Sequence, residues 1–145
     1  LVQQVNGEFA ERFEGRNLDL ICILQPEPLL IRADSRRIWR VLENLYVNVC
    51  KYAMPGTRVY VDAIKKDGKI QLSIKNISEN PLNFQADELT ERFIRGDESR
   101  TTEGSGLGLS IAKNLTEIQK GKFEIAVDGD LFKVNLTFPL LTEIK

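Results

Sequence analysis

Two Asp-Gly dipeptides, at residues 67–68 and 128–129, each separate two stretches rich in alternating apolar residues. The dipeptide favours the tight turn of a β-hairpin, in which both turn positions adopt positive φ angles. The spacing therefore predicts one hairpin with strands over 57–64 and 69–76, and another with strands over 122–127 and 131–138. Two such hairpins indicate a largely antiparallel sheet with one buried face.

Helices form the second layer of the predicted fold. The longest is expected over 35–53, where apolar residues from Ile38 to Tyr52 share one stripe and either Asp34 or Ser35 can cap the N-terminus. The order of elements predicts an α+β fold, a two-layer sandwich whose mixed, largely antiparallel sheet is covered on one face by helices. The other predicted helices cover 1–13, 87–94 and 107–119, and the other predicted strands cover 18–24 and 29–33.

The composition excludes several classes of protein. The 145 residues include no His, which removes His-dependent catalytic triads and His-ligated metal sites. A net charge of −1 argues against a nucleic-acid binder held by phosphate contacts. No apolar run approaches the roughly 18 residues of a membrane span, and no signal peptide opens the chain. Cys22 and Cys50 cannot form a disulfide framework and indicate a reducing compartment.

Polar residues border the apolar stripe of the longest helix. Asn44, Asn48 and Lys51 recur at i, i+4 and i+7, so they share a second stripe beside the first. The solvated face is expected around Arg40 and Glu43. An amide oxygen suits Mg²⁺, which takes oxygen ligands, and a Lys suits a phosphate. The alternative is a helix at the edge of the core whose Asn side chains make local hydrogen bonds.

A glycine-rich segment over 104–109 opens the helix predicted over 107–119. Glycines let the backbone approach a ligand, and the free N–H groups of a first helical turn favour an anion. The segment is not a P-loop, because no Gly-Lys-Ser/Thr follows it. The alternative is a flexible loop joined to a capped helix. Upstream, Arg95 can reach a terminal phosphate as a bidentate donor, although a single Arg in a mixed-charge segment is usually a surface residue.

In this order and at these separations, the segments resemble the nucleotide-binding domain of bacterial sensor histidine kinases. That domain is part of the wider family of gyrase, the Hsp90 chaperones, histidine kinases and MutL. Residues 44–52 resemble the N box, 91–95 the F box and 104–109 the G2 box. The resemblance covers nearly the whole chain and implies a Bergerat-type ATP-binding fold, which the order of predicted elements matches.

The resemblance implies ATP and Mg²⁺ as cofactors and gives roles to particular residues. Asn48 corresponds to the Mg²⁺ ligand, Lys51 to a basic residue that contacts phosphate, and Arg95 to the Arg that reaches the γ-phosphate. These three are the implied catalytic residues, and Tyr52 corresponds to a ring that packs on adenine. The implied nucleotide contacts are Asn44, Asn48, Lys51, Tyr52, Asn76, Gly104, Ser105, Gly106, Leu107, Gly108 and Leu109.

One family motif is altered. The family usually carries Asp-x-Gly-x-Gly after the third strand-like segment, and the Asp reads the adenine amino group. The aligned residues here are Asn76, Ser78 and Asn80. The Asn76 amide can offer its oxygen to the N6 amino group and an N–H to N1, without the charge that strengthens the first bond.

The resemblance also implies how the domain is used. Residues 1–145 are interpreted as one ATP-binding domain, with a leading helix over 1–16 that connects to an upstream domain and an ATP lid over 95–106. In the family, the γ-phosphoryl group passes to a His on a separate dimerisation domain, which we expect upstream of Leu1 because the chain has no His. We expect a cytoplasmic segment of a longer, membrane-anchored bacterial kinase, with a response regulator downstream and with no direct contact to membrane or nucleic acid.

Two other functions remain open from the sequence. The altered motif at Asn76 is compatible with a pseudokinase, a nucleotide-binding module without catalysis. An ATP hydrolase or an anti-sigma-type serine kinase would carry Glu four residues before the Mg²⁺ ligand, where this chain has Asn44. Glu43 lies about 100° away around the helix, which favours a kinase that borrows its base from the acceptor domain.

Overall fold

A computed structural model describes residues 1–24, 33–80 and 107–139. Every element within these ranges agrees with its predicted bounds to within two residues at each end. The strand predicted over 29–33, apart from residue 33, the helix over 87–94 and the lid over 95–106 lie outside the described residues. In chain order, the elements are α1 Val2–Gly15, β1 Asp19–Leu24, α2 Ser35–Tyr52, β2 Arg58–Lys66, β3 Lys69–Ile77, α3 Leu107–Ile118, β4 Lys122–Asp128 and β5 Leu131–Pro139.

The strands form one five-stranded sheet in the order β1-β2-β3-β5-β4. The β1–β2 pair is parallel, because the chain between these strands crosses over through α2, and the other three pairs are antiparallel. The predicted mixed, largely antiparallel sheet is therefore confirmed. At the first hairpin, Asp67 and Gly68 have φ angles of 52° and 74°, as expected for the turn.

The second hairpin turns one residue later than its dipeptide predicts. Asp128 pairs with Leu131 as the last residue of β4, so Gly129 and Asp130 form the turn. Gly129 has a φ of 63°, and Asp130 is not among the residues with positive φ. A turn with Gly at its first central position is a type II′ arrangement, which needs positive φ at that position only.

The core lies between one face of the sheet and the helices. Residues that pair across the strands alternate in burial, so that the pairs Val61–Ile74 and Ile74–Val134 face the core. Asp34 caps α2, because its carboxylate accepts from the backbone N–H groups of Arg36 and Arg37. The buried stripe of α2 is Val41, Leu42, Leu45, Tyr46 and Val49.

Tyr46 was not predicted to be buried, yet its side chain is 1% exposed. Its ring stacks on Phe13 at a centroid distance of 5.7 Å and contacts the edge of Phe9 at 5.4 Å. The hydroxyl donates to the side-chain oxygen of Asn6, which satisfies the buried group. Tyr46 therefore connects α1 to α2.

We expect Tyr46→Phe to flatten the alkaline loss of stability. Burial raises the pKa of Tyr46 above the ordinary value of about 10. The folded state then holds the proton more tightly than the unfolded state, so stability is retained below about pH 10 and falls as the pH rises further. Thermal melts between about pH 8.5 and 11 measure this, and equal slopes for wild type and Tyr46→Phe would contradict it.

Candidate functional site

The polar stripe of α2 lies at the edge of the core, as predicted. Asn44, Asn48 and Lys51 are half-buried, whereas Arg40 and Glu43 on the neighbouring face are exposed. The apolar stripe of the helix packs against the sheet, and the amides lie along the border of that stripe. At this border they can contact a ligand bound beside the sheet. The stripe can therefore form the wall of a pocket.

The start of α3 packs against this wall. A Cβ atom added to Gly108 would lie 3.7 Å from the Asn44 side-chain oxygen and 3.8 Å from its carbonyl oxygen. Leu109 and Ala112 anchor the helix, since they are 1% and 0% exposed. The structure thus brings the first turn of α3, whose N–H groups lack helical partners, next to Asn44. Because the Leu109 side chain lies in the core, a ligand contact by this residue would use its backbone.

Asn76 lies on the core face near the end of β3, paired in register with Phe132 of β5. Its side chain is 3% exposed, and its Oδ1 has no hydrogen-bond partner among the described residues. Asn44 has a matching feature, since its Nδ2 is buried and equally without a partner in the described part of the chain. A buried polar atom without a partner costs about 1–3 kcal/mol, so both amides suit a ligand with complementary polar groups.

Backbone hydrogen bonds join the end of α2 to the segment that follows β3. The N–H of Met54 donates to the Ile77 carbonyl at 2.7 Å, and Ala53 forms a bridge with Ser78. The N–H of Glu79 donates to the Tyr52 carbonyl at 2.8 Å. Lys51 and Tyr52, half-buried in the last turn of α2, thus lie beside the chain segment that carries Asn76.

The described part of the site offers few ligands for a divalent cation. Within ranges 1–24, 33–80 and 107–139 there is no group of three or more acidic or Cys side chains that could ligate a metal. The amide oxygen of Asn48 is a single neutral ligand, which fits Mg²⁺ because this ion usually retains several waters and binds substrate phosphates. A cation here would therefore depend on a phosphorylated ligand for its other non-water contacts.

The structure describes some of the predicted site residues and not others. The described ones lie on the facing elements α2, β3 and α3 and are Asn44, Asn48, Lys51, Tyr52, Asn76, Leu107, Gly108 and Leu109. Arg16 and Glu79, whose side chains contact each other, were not predicted to do so, because neither is part of a local pattern. Predicted site residues outside the described ranges are Arg95, Gly104, Ser105 and Gly106.

Comparisons with known proteins agree on one family. Residues 33–142 match the sequence profile of the family described as histidine kinase-, DNA gyrase B-, and HSP90-like ATPase. The signal transduction histidine-protein kinase BaeS of Escherichia coli is 31% identical over 145 residues, which cover 99% of this chain and 31% of BaeS. The sensor histidine kinase WalK of Bacillus subtilis is 27% identical, over 92% of this chain and 23% of WalK. The chain thus spans a third or less of these two relatives.

Solved structures agree with the family match. The catalytic domain of the histidine kinase ThkA, free of nucleotide, superposes with a TM-score of 0.80 at 26% identity, covering 95% of this chain and 90% of that domain. ThkA in complex with the response regulator protein TrrA gives a TM-score of 0.76 at 25% identity, over 97% of this chain and 39% of ThkA.

The described helices include none long and apolar enough to cross a membrane.

Proposed function

Because this chain belongs to the histidine kinase-, DNA gyrase B- and HSP90-like ATPase family, we propose that it is the ATP-binding catalytic domain of a sensor histidine kinase. In this proposal, the domain binds ATP and its γ-phosphoryl group passes to a His of a dimerisation domain. The acceptor belongs to another domain, since none of the 145 residues is His. Transfer of this kind depends mainly on positioning and on neutralising charge.

One observation carries the proposal: the Oδ1 of Asn76 is buried and has no hydrogen-bond partner within residues 1–24, 33–80 and 107–139. The atom accepts a hydrogen bond, and the amino group of adenine can donate one in the plane of the base. Asn76 directly precedes the residues that are hydrogen-bonded to the end of α2. In the last turn of α2, Tyr52 offers a ring for stacking and Lys51 a charge for the phosphates. Asn76 and Tyr52 thus suit the base of a nucleotide, and Lys51 suits its phosphates.

The residues present also fit the cation that the family uses. Asn48 would hold Mg²⁺ through its amide oxygen, and the ion when bound supplies charge neutralisation for the phosphates. Lys51 and Arg95 add positive charge on the protein side, and the backbone N–H groups around Gly106 and Gly108 donate to phosphate oxygens. These residues bind and orient the phosphates, and the segment over 95–106, as a lid, excludes water.

A kinase fits the residue beside the metal ligand better than a hydrolase does. Asn44, four residues before the proposed metal ligand, has no acidic group to activate water. The start of α3 also lies close to this residue, since a Cβ at Gly108 would lie 3.7 Å from the Asn44 side-chain oxygen. The nearest acidic residue on α2, Glu43, is exposed. The base for phosphoryl transfer would then come from the domain that carries the acceptor His.

The proposal extends to partners and location by similarity alone. The named relatives are sensor kinases, and ThkA binds a response regulator protein. We therefore assign this chain a His-containing dimerisation domain and a response regulator as partners, within a cytoplasmic segment of a membrane-anchored parent. A pseudokinase is the second candidate, and it is favoured by the neutral Asn76 in place of the usual Asp.

Phosphoryl transfer tests the proposed function. The full-length kinase, incubated with ATP labelled at the γ-phosphate and Mg²⁺, should acquire label that is lost in acid and retained in alkali, as expected of phosphohistidine. Substituting the acceptor His by Gln should abolish the labelling. ATP binding without any labelling would favour the pseudokinase, and rapid ATP hydrolysis by the 145-residue chain would favour a hydrolase.

A further inference from the structure

Arg16, the residue after α1, joins three chain segments. Its Nη2 donates to the Ala53 carbonyl at 2.9 Å and lies 3.6 Å from a carboxylate oxygen of Glu79. Ala53 caps the C-terminus of α2, and a cation there complements both the last carbonyl groups and the helix dipole. The Arg16 side chain is 35% exposed, whereas Ala53 is fully buried, so the hydrogen bond to the carbonyl is partly shielded from water.

The segment that Arg16 holds through Glu79 follows β3 and lacks glycine. Besides the bonds to α2, the N–H of Ser78 donates to the Asp130 carbonyl at 2.8 Å, and its hydroxyl donates to the Asn80 carbonyl at 2.7 Å. Glu79 contributes both its N–H, to Tyr52, and its carboxylate, to Arg16. Residues 77–80 are thus held by backbone hydrogen bonds to the end of α2 and to Asp130, and by one ion pair to Arg16.

We propose that Arg16 is a positioning residue for the base-binding side of the nucleotide site, an inference that rests on the proposed function. It touches no ligand itself. By bridging Ala53 and Glu79, it sets the separation between Tyr52, one residue before Ala53, and Asn76, three residues before Glu79. In the proposed site, Tyr52 would stack on the face of the base and Asn76 would hydrogen-bond to its edge. A change in the separation of these two side chains would therefore weaken binding of the base.

The arrangement explains how a segment without glycines can serve this site. Glycine gives a loop the freedom to approach a ligand, whereas Ser78 and Asn80 restrict the backbone. A restricted backbone must be held in the correct place in advance, since it adjusts less when the ligand arrives. The link to Arg16 adds a fixed point at the end of α1, an element that contributes no predicted ligand contact.

Arg16→Ala should weaken binding of ATP and adenosine to the 145-residue chain by the same factor, roughly tenfold. Calorimetry with ATP and Mg²⁺, and competition by adenosine, measure the two affinities. Equal losses are expected because the base, which both ligands share, is the part affected. In full-length kinase, KM for ATP should rise while kcat stays within about twofold. In NMR spectra of the chain, the Glu79 amide resonance should shift.

Arg12→Ala is the matched control, since it removes the same charge one helical turn away, within the last turn of α1. The Arg12 guanidinium lies over the Phe9 ring at 4.9 Å and is not linked to Ala53 or Glu79. This variant should bind both ligands like wild type, and Arg16→Lys, which keeps one charged donor, should recover most of the affinity.

Three results would overturn the inference. One is wild-type affinity in Arg16→Ala, and another is a loss for ATP that exceeds the loss for adenosine, which would make Arg16 a phosphate contact. The third is an equal loss in Arg12→Ala, which would indicate a general effect of charge. If wild type itself binds no ATP, the proposed function fails as well, and this outcome is distinct from the other three.

Discussion

Asn48→Ala is expected to abolish phosphoryl transfer by the full-length kinase while the fold survives. The amide oxygen is the one Mg²⁺ ligand that we assign to the protein, so its removal leaves the cation held by phosphates and water alone. We expect the rate of phosphoryl transfer to fall by at least about 100-fold. Substitution of residues that only hydrogen-bond to metal ligands already costs up to about 100-fold in activity, and Asn48 would be a ligand itself. The fold should survive because Asn48 is half-buried at the border of the core stripe.

A metal readout separates this effect from a general loss of function. In wild type, ATP affinity should rise with Mg²⁺ concentration, and in Asn48→Ala this dependence should be weaker. Asn48→Asp, which keeps an oxygen ligand, should retain more of the dependence than Ala. Asn114→Ala is the matched control, because Asn114 is exposed on α3. Unchanged transfer and unchanged Mg²⁺ dependence in Asn48→Ala would remove Asn48 from the metal site.

Asn76→Ala is expected to weaken ATP binding by roughly 30-fold or more, since it removes two hydrogen bonds of about 1–2 kcal/mol each. GTP binding should change little, because guanine presents an acceptor and a donor where adenine presents the reverse. Asn76→Asp strengthens the contact to N6 and loses the donor to N1, so its ATP affinity should stay within about tenfold of wild type. Calorimetry with each nucleotide and Mg²⁺ measures these affinities.

Asn135→Ala controls for the loss of a hydrogen-bonded, half-buried amide in the same sheet. Asn135 lies on the opposite face of the same sheet, where its side-chain oxygen accepts from the Ser73 hydroxyl at 2.6 Å. This variant should lower the melting temperature without changing the ratio of ATP to GTP affinity. If Asn76→Ala also leaves that ratio and the ATP affinity unchanged, Asn76 does not read the base, and the pseudokinase gains support.

The elements that the sequence predicted well are those with local signals. The stripe of α2 and its cap at Asp34 arise within one segment, as does the Asp67-Gly68 turn. The polar stripe with Asn44 and Asn48 follows from helical periodicity alone, which explains why its half-buried position was predictable. The second turn was misplaced by one residue because the register of β4 with β5 selects Gly129 as its first position.

The features that were missed depend on contacts between distant residues. Tyr46 is buried because Phe9 and Phe13 of α1 cover it, and no residue pattern near Tyr46 in the sequence predicts this packing. The link between Arg16 and Glu79 joins residues that are far apart in the chain, with Ala53 between them. The Asn76 oxygen, which lacks a partner in the part of the chain that the structure describes, is likewise visible only once the sheet and α2 are assembled.

The most direct test of the account is whether the 145-residue chain binds ATP with Mg²⁺ at the proposed site between α2, the end of β3 and the start of α3. Calorimetry should give saturable binding with one nucleotide per chain, stronger with Mg²⁺ than with a chelator. In NMR spectra, the side-chain amide signals of Asn44, Asn48 and Asn76 should shift on binding, and that of Asn135 should not. A folded chain that gives neither heat nor a thermal shift at saturating nucleotide, or that shifts only signals away from these amides, would contradict the account.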